Sequence, residues 1–152
     1  MSRKKVIISA CLLGETCRYD GKTKEVNAVA EAFREYEIIP FCPEAPLFGT
    51  PRERISVVDV HGQERIITEE TKRDVTSALR QEIESFCQKN PQVDAIVLKS
   101  KSPSCGYGTT PVLNEKGEFI HLGNGLAANI FEDFYGKNSI KSELDFINSA
   151  LL

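Results

Sequence analysis

Three short apolar runs, each followed closely by a cysteine, constrain this chain more than anything else in it. Val6-Ile7-Ile8 lies in a segment from Lys5 to Ala10, Ile38 and Ile39 in a second from Glu37 to Phe41, and Ala95-Ile96-Val97-Leu98 in a third from Val93. Runs of four to six residues, rich in β-branched side chains and without polar alternation, are strands buried on both faces. Helical segments separate them. Asn27 to Tyr36 places Ala28, Ala32 and Phe33 on one side. Thr68 reads as an N-cap, with Glu69 and Glu70 in the first turn, for a helix running to about Lys89. Its stripe is Val75, Leu79, Ile83 and Phe86, with Cys87 beside it, and Asn90-Pro91 stops it. Strands alternating with helices predict an α/β fold, a three-layer domain with a mainly parallel sheet and helices on both faces.

The remaining segments add to that frame. Ser56–Val60 and Glu64–Ile67 predict one hairpin, and Val112–Leu122 a second across Asn114-Glu115-Lys116-Gly117. Two prolines and a glycine predict a loop over Ala45–Pro51, and Lys99–Pro111 reads as another. Leu126–Tyr135 and Ile140–Leu151 are expected helices, the last capped by Ser139. A length of 152 residues without repeats or linkers predicts a single domain over residues 1–152.

Composition excludes several classes. Hydrophobic residues make up 41% and charged residues 27%, an ordinary globular mixture. No apolar run approaches the ~18 residues of a membrane span. The basic start, Met1-Ser2-Arg3-Lys4-Lys5, leads into a strand-sized segment rather than a signal peptide, so a cytoplasmic location is expected. With 19 basic and 22 acidic residues, a net charge of −3, and both signs interspersed, the chain lacks the basic stripe of a DNA binder. A small-molecule partner fits better, and the oligomeric state is not legible.

The five cysteines are Cys11, Cys17, Cys42, Cys87 and Cys105. An odd number in a chain read as cytoplasmic argues against a disulfide framework. Cys11 follows the first strand, Cys42 ends the second, and Cys105 lies in the loop after the third. In a parallel sheet these are all carboxyl ends, where open α/β folds place their ligands. Converging thiolates select zinc, copper(I) or an iron–sulfur cluster. Structural zinc wants four ligands, often in CxxC pairs, and none occurs here. Clusters are normally held by four cysteines, so three would leave one iron open. Cysteines around a cluster stand roughly 6–7 Å apart, against about 3.8 Å around one zinc. Cys17 reads as a turn filler rather than a fourth ligand, Cys87 as a core filler, and His61 and His121 as structural.

The neighbours of these thiols carry further chemistry. Glu44, in Cys42-Pro43-Glu44, puts a carboxylate two residues from a thiol, where it can act as general acid or base. Lys99-Ser100-Lys101-Ser102-Pro103-Ser104-Cys105-Gly106 brings two cations and three hydroxyls to another. Gly106-Tyr107-Gly108 and Gly123-Asn124-Gly125 do not complete GxGxxG, and the first leads into a hairpin, which fails the dinucleotide-binding context.

Ser9-Ala10-Cys11-Leu12-Leu13-Gly14, Arg18-Tyr19-Asp20-Gly21, Cys42-Pro43-Glu44, Gly49-Thr50-Pro51-Arg52 and Lys99 to Gly106 together resemble the thiouracil desulfidase (TudS-like) family, long catalogued as a domain of unknown function. The resemblance spans nearly the whole chain. It implies a [4Fe–4S] cluster on Cys11, Cys42 and Cys105, with one iron open to the sulfur of a thiolated nucleobase. It implies Glu44 and Ser102 beside the substrate, and non-redox desulfidation of a 2-thiouracil-like base. Such an exposed cluster is expected to be lost in aerobic preparations. A carrier or sensor of sulfur or metal, using the same three cysteines, is the alternative from another class.

Overall fold

The computed structural model describes residues 3–13, 27–49, 53–136 and 140–146. Strand β1 (Lys5–Ser9) is central in a four-stranded sheet. Strand β2 (Glu37–Phe41) runs parallel to it on one side, with Lys5 opposite Glu37 and Ser9 opposite Phe41. Strand β5 (Ala95–Leu98) runs parallel on the other side, with Val6 opposite Ala95. Strand β8 (Ile140–Ser142) continues the order as β2-β1-β5-β8, all parallel.

Alternation along β1 explains why its apolar run is unbroken. Val6 and Ile8, with Val97 of β5, pack against Val29 and Phe33, which belong to helix α1 (Asn27–Ala32) and the turn after it. Ile7, Ile96 and Leu98 point the other way. There they meet Leu79 and Ile83 of α3 (Thr76–Lys89) and Phe131 of α4 (Leu126–Tyr135). Phe131 also packs against Phe41, ring centroids 5.0 Å apart and planes tilted by 52°. Burial on both faces removes the polar alternation that a half-exposed strand would show.

The two expected hairpins exist as additions to the parallel-sheet frame, and together they build a second sheet of order β4-β3-β6-β7. Strands β3 (Ile55–Val60) and β4 (Gln63–Thr68) are antiparallel across His61 and Gly62, both at positive φ (52° and 84°), as a tight hairpin requires. Strands β6 (Thr110–Leu113) and β7 (Phe119–Gly123) form the other hairpin, and β3 pairs parallel with β6. Val57, Ile66 and Val112 join the core that holds Ile7 and Phe131.

Three expectations are corrected. Helix α2 (Glu44–Phe48) occupies the segment read as a loop. Pro46 sits in its first turn, where the missing N–H is one that no intrahelical carbonyl would have accepted. Thr68 ends β4 and caps no helix. Its Oγ1 accepts the Arg73 N–H at 2.8 Å. The N–H groups of Glu70 and Thr71 go to the Glu53 carboxylate at 2.9 and 3.0 Å, which holds that carboxyl below its ordinary value. A side chain from outside the segment thus stabilises a turn where the local pattern favoured a helix, and α3 begins only at Thr76. Ile140–Ser142 is strand β8, not helix, because the open edge of β5 offers its backbone partners. Ser139 and residues 147–151 of that expected helix lie outside the described residues, as do Cys17, the Arg18–Gly21 motif and Thr50–Arg52.

Cys87 is buried on the core side of α3, 1% exposed, and burial pushes its thiol up to about 11. Cys87→Ala is expected to cost ~1–2 kcal/mol of stability and to leave any cofactor content unchanged. Chemical denaturation with a matched iron assay checks both. No described helix is long and apolar enough to cross a membrane.

Candidate active site

β2, β1 and β5 are neighbours in that order, so their carboxyl ends lie side by side. Cys11 stands in a 3₁₀ turn (Ala10–Leu13) leaving β1, Cys42 directly follows β2, and Cys105 lies in the loop after β5. All three line one pocket of about 660 Å³, together with Glu44 and Ser102. Five residues singled out from sequence therefore share one cavity. Cys11 and Cys105 are buried and Cys42 is half-buried.

The loop carrying Cys105 is fixed by its own hydroxyls and by α4. Ser102 Oγ accepts the N–H groups of Cys105 at 3.1 Å and Ser104 at 3.3 Å. The Ser102 carbonyl accepts the Gly106 N–H at 2.8 Å and the Thr110 hydroxyl at 2.7 Å. Gly125, Leu126 and Ala127, at the start of α4, donate their N–H groups to the carbonyls of Gly106, Pro103 and Ser104. A helix's first N–H groups have no intrahelical acceptor, so the loop satisfies them and is held in return.

Glu44 opens α2 and reaches across to this loop. Its Oε2 accepts the Ser104 hydroxyl at 2.6 Å, and Ser104 Oγ lies 3.7 Å from Cys105 Sγ. Ser104 Oγ is also 3.2 Å from Ser102 Oγ. The family resemblance implied Ser102 beside the substrate, and Ser104 stood only among the three hydroxyls of its loop. The only available signal was adjacency to Cys105, and alternation along an irregular loop does not say which hydroxyl faces the carboxylate. Lys99, Ser100 and Glu143, which also line the pocket, were missed as a group because Glu143 arrives from the far end of the chain, directly after β8.

Burial pushes the Cys105 thiol up to about 12. A hydrogen bond from Ser104 opposes this, and the Cys42 and Glu44 charges add to it. Left to itself that thiol stays protonated at neutral pH, and a bound cation would displace its proton. Among the described residues no three His, Cys, Asp or Glu side chains converge closely enough to hold one metal ion. Both histidines lie elsewhere, His61 at the β3–β4 tip and His121 on β7, 3.7 Å from Glu64. A donor set of three soft thiols spread around a pocket, with no imidazole, suits an iron–sulfur cluster better than a single zinc ion.

Fold and pocket define an α/β protein with a thiol-lined cavity at the carboxyl edge of a parallel sheet. The chain belongs to the 2-thiouracil desulfurase family, whose model matches residues 6–142. It is 28% identical over 113 residues to the uncharacterized protein YbbK of Bacillus subtilis (strain 168), covering 68% of this chain and 74% of that one. It is also similar to a solved structure, a [4Fe–4S]-dependent thiouracil desulfidase, TudS. The TM-score is 0.72 and the identity 28%, over 98% of this chain and 97% of that one. The family expected from the motifs and the α/β fold expected from the alternation of strands and helices are thus met, and desulfurisation of a thiolated base is the general function that both similarities support.

Proposed function

We propose that this chain removes sulfur from a small 2-thiouracil-like base by hydrolysis, with a [4Fe–4S] cluster held on Cys11, Cys42 and Cys105. Water adds its oxygen at the thione carbon, the C–S bond breaks, and sulfur leaves as hydrosulfide, with no net redox change. When bound, a cluster with three cysteine ligands supplies one iron as a soft Lewis acid for the thione sulfur. The chain's own residues do the rest. Glu44 takes a proton from the attacking water and returns it to the departing sulfur, and the second water proton passes to solvent as the new carbonyl forms. Ser104 is the relay between that carboxylate and the Cys105 edge of the pocket, and Ser102, in contact with Ser104, holds the turn and extends the relay. The observation that carries this reading is the Glu44–Ser104–Cys105 chain of contacts inside the pocket that the three thiols share.

Ser104→Ala is expected to lower turnover by ~10²-fold or more with iron content retained, because it cuts the 2.6 Å hydroxyl contact to Glu44. Ser102→Ala is expected to reduce turnover and iron loading together, since it loosens the Cys105 turn. Steady-state kinetics with parallel iron and sulfide analysis separate the two.

The test of function is anaerobic reconstitution with iron and sulfide, followed by the loss of thione absorbance from 2-thiouracil and the appearance of hydrosulfide. A protein that loads iron yet never turns over a thiolated base would instead be a carrier or sensor.

A further inference from the structure

The same pocket holds a second polar cluster that the hydrolysis above does not use. Glu143, directly after β8, is 4% exposed. Its Oε1 accepts the Ser100 N–H at 2.7 Å and its Oε2 the Ser100 hydroxyl at 2.7 Å. Lys99 Nζ lies 3.3 Å from Glu143 Oε2 and donates to the Ser100 carbonyl at 2.8 Å. A carboxylate this buried is retained only when paired and hydrogen-bonded, and here the pairing fixes the ammonium in one place.

An ammonium has three hydrogens to donate. One goes to the Ser100 carbonyl and one to Glu143. The third goes to Ser100 Oγ at 3.4 Å, the longest and weakest of the three contacts. Lys99 lines the pocket and keeps 21% of its side chain exposed. An anion that enters can therefore take over the weakest of these contacts from a cation already held in place. The cavity is lined by Glu44, Glu69 and Glu143 and by the cations Arg54, Lys99 and Lys101, so an anion inside it needs a cation to face it, and Lys99 is the cation that the buried Glu143 fixes in place.

We propose that Lys99, held by Glu143 and Ser100, is the pocket's binding group for anionic sulfur: the deprotonated thioamide of the base, or the hydrosulfide released from it. This rests on the desulfidation reading, and it assigns the cluster of Lys99, Ser100 and Glu143 a role that the reaction alone does not require. A thioamide ionises more readily than the oxo-amide it becomes, because sulfur spreads the charge. The same contact therefore favours the substrate over its product. Glu143 is a positioning residue, and Lys99 is the group that touches the ligand.

The test is equilibrium binding to the cluster-free protein, anaerobically and at mildly alkaline pH, of 2-thiouracil, hydrosulfide and uracil. Wild type is expected to bind 2-thiouracil about 10-fold more tightly than uracil, the range of one charge-assisted hydrogen bond. Competition by hydrosulfide assigns the subsite to the departing sulfur as well, and its absence confines it to the thioamide. The double variant Lys99→Met/Glu143→Gln replaces the ion pair by neutral groups of similar shape. It is expected to keep the wild-type unfolding midpoint, to lose the preference for 2-thiouracil and, once reconstituted, to raise KM with little change in kcat. Lys99→Arg, which keeps the charge, is expected to retain the preference. A wild type without the preference, a folded double variant that keeps it, or a folded Lys99→Arg that loses it would overturn the assignment. Absence of thione loss in reconstituted wild type would instead remove the desulfidation reading, and the binding measurement would stand apart from it.

Discussion

Glu44→Gln is expected to lower turnover of 2-thiouracil by ~10²–10⁴-fold, the usual cost of a missing acid–base group, while iron and sulfide content stay at wild-type levels. The substitution is nearly isosteric, and a glutamine carbonyl can still accept the Ser104 hydroxyl that now sits 2.6 Å away. The pocket wall should therefore hold its shape, and only proton transfer is lost. Rate measurements on reconstituted protein at matched iron content decide the point. Full activity would remove Glu44 from the chemistry and leave water without a protein base.

Gly125→Ala is expected to be nearly as damaging, for a different reason. Gly125 precedes α4 at φ −68°, a conformation any residue adopts, so backbone freedom is not at issue. A Cβ there would lie 2.6 Å from the Cys105 nitrogen, 2.7 Å from the Ser104 carbonyl carbon and 2.9 Å from the Gly106 nitrogen. These are backbone atoms of a loop already fixed by Ser102 and by α4, and they cannot swing aside as a side-chain end can. The loop must move, and the Cys105 thiol with it. The expected result is a loss of ~1–3 kcal/mol of stability, typical of overpacking, together with loss of iron incorporation. Thermal unfolding and iron analysis of the same preparation check both. Wild-type iron loading in the variant would mean that the Cys105 position tolerates displacement.

The parallel sheet was legible because burial on both faces writes itself into sequence as unbroken apolar runs, as in Val6-Ile7-Ile8 and Ala95–Leu98. That the three thiols and Glu44 line one pocket was legible because each follows a strand of that sheet, and neighbouring parallel strands bring their carboxyl ends together. What escaped had non-local causes. The carboxylate of Glu53 holds the turn after Thr68 that the local pattern reads as a helix start. Ile140–Ser142 becomes a strand because β5 has an open edge, although the residues that follow repeat apolar side chains at helical spacing. Ser104 faces Glu44 only because Ser102 turns the chain between them, and Glu143 reaches Ser100 from across the sheet. Gly125, set aside when the dinucleotide motif failed, has a steric part that no pattern around it announces.

Iron incorporation in single cysteine variants, reconstituted anaerobically side by side, bears most directly on the three-thiol site. Wild type and Cys17→Ala are expected to take up about four irons per chain, and Cys11→Ala, Cys42→Ala and Cys105→Ala to lose them. Loss of iron from Cys17→Ala as complete as from Cys11→Ala would contradict this, since four thiolate ligands leave no iron open to the substrate's sulfur.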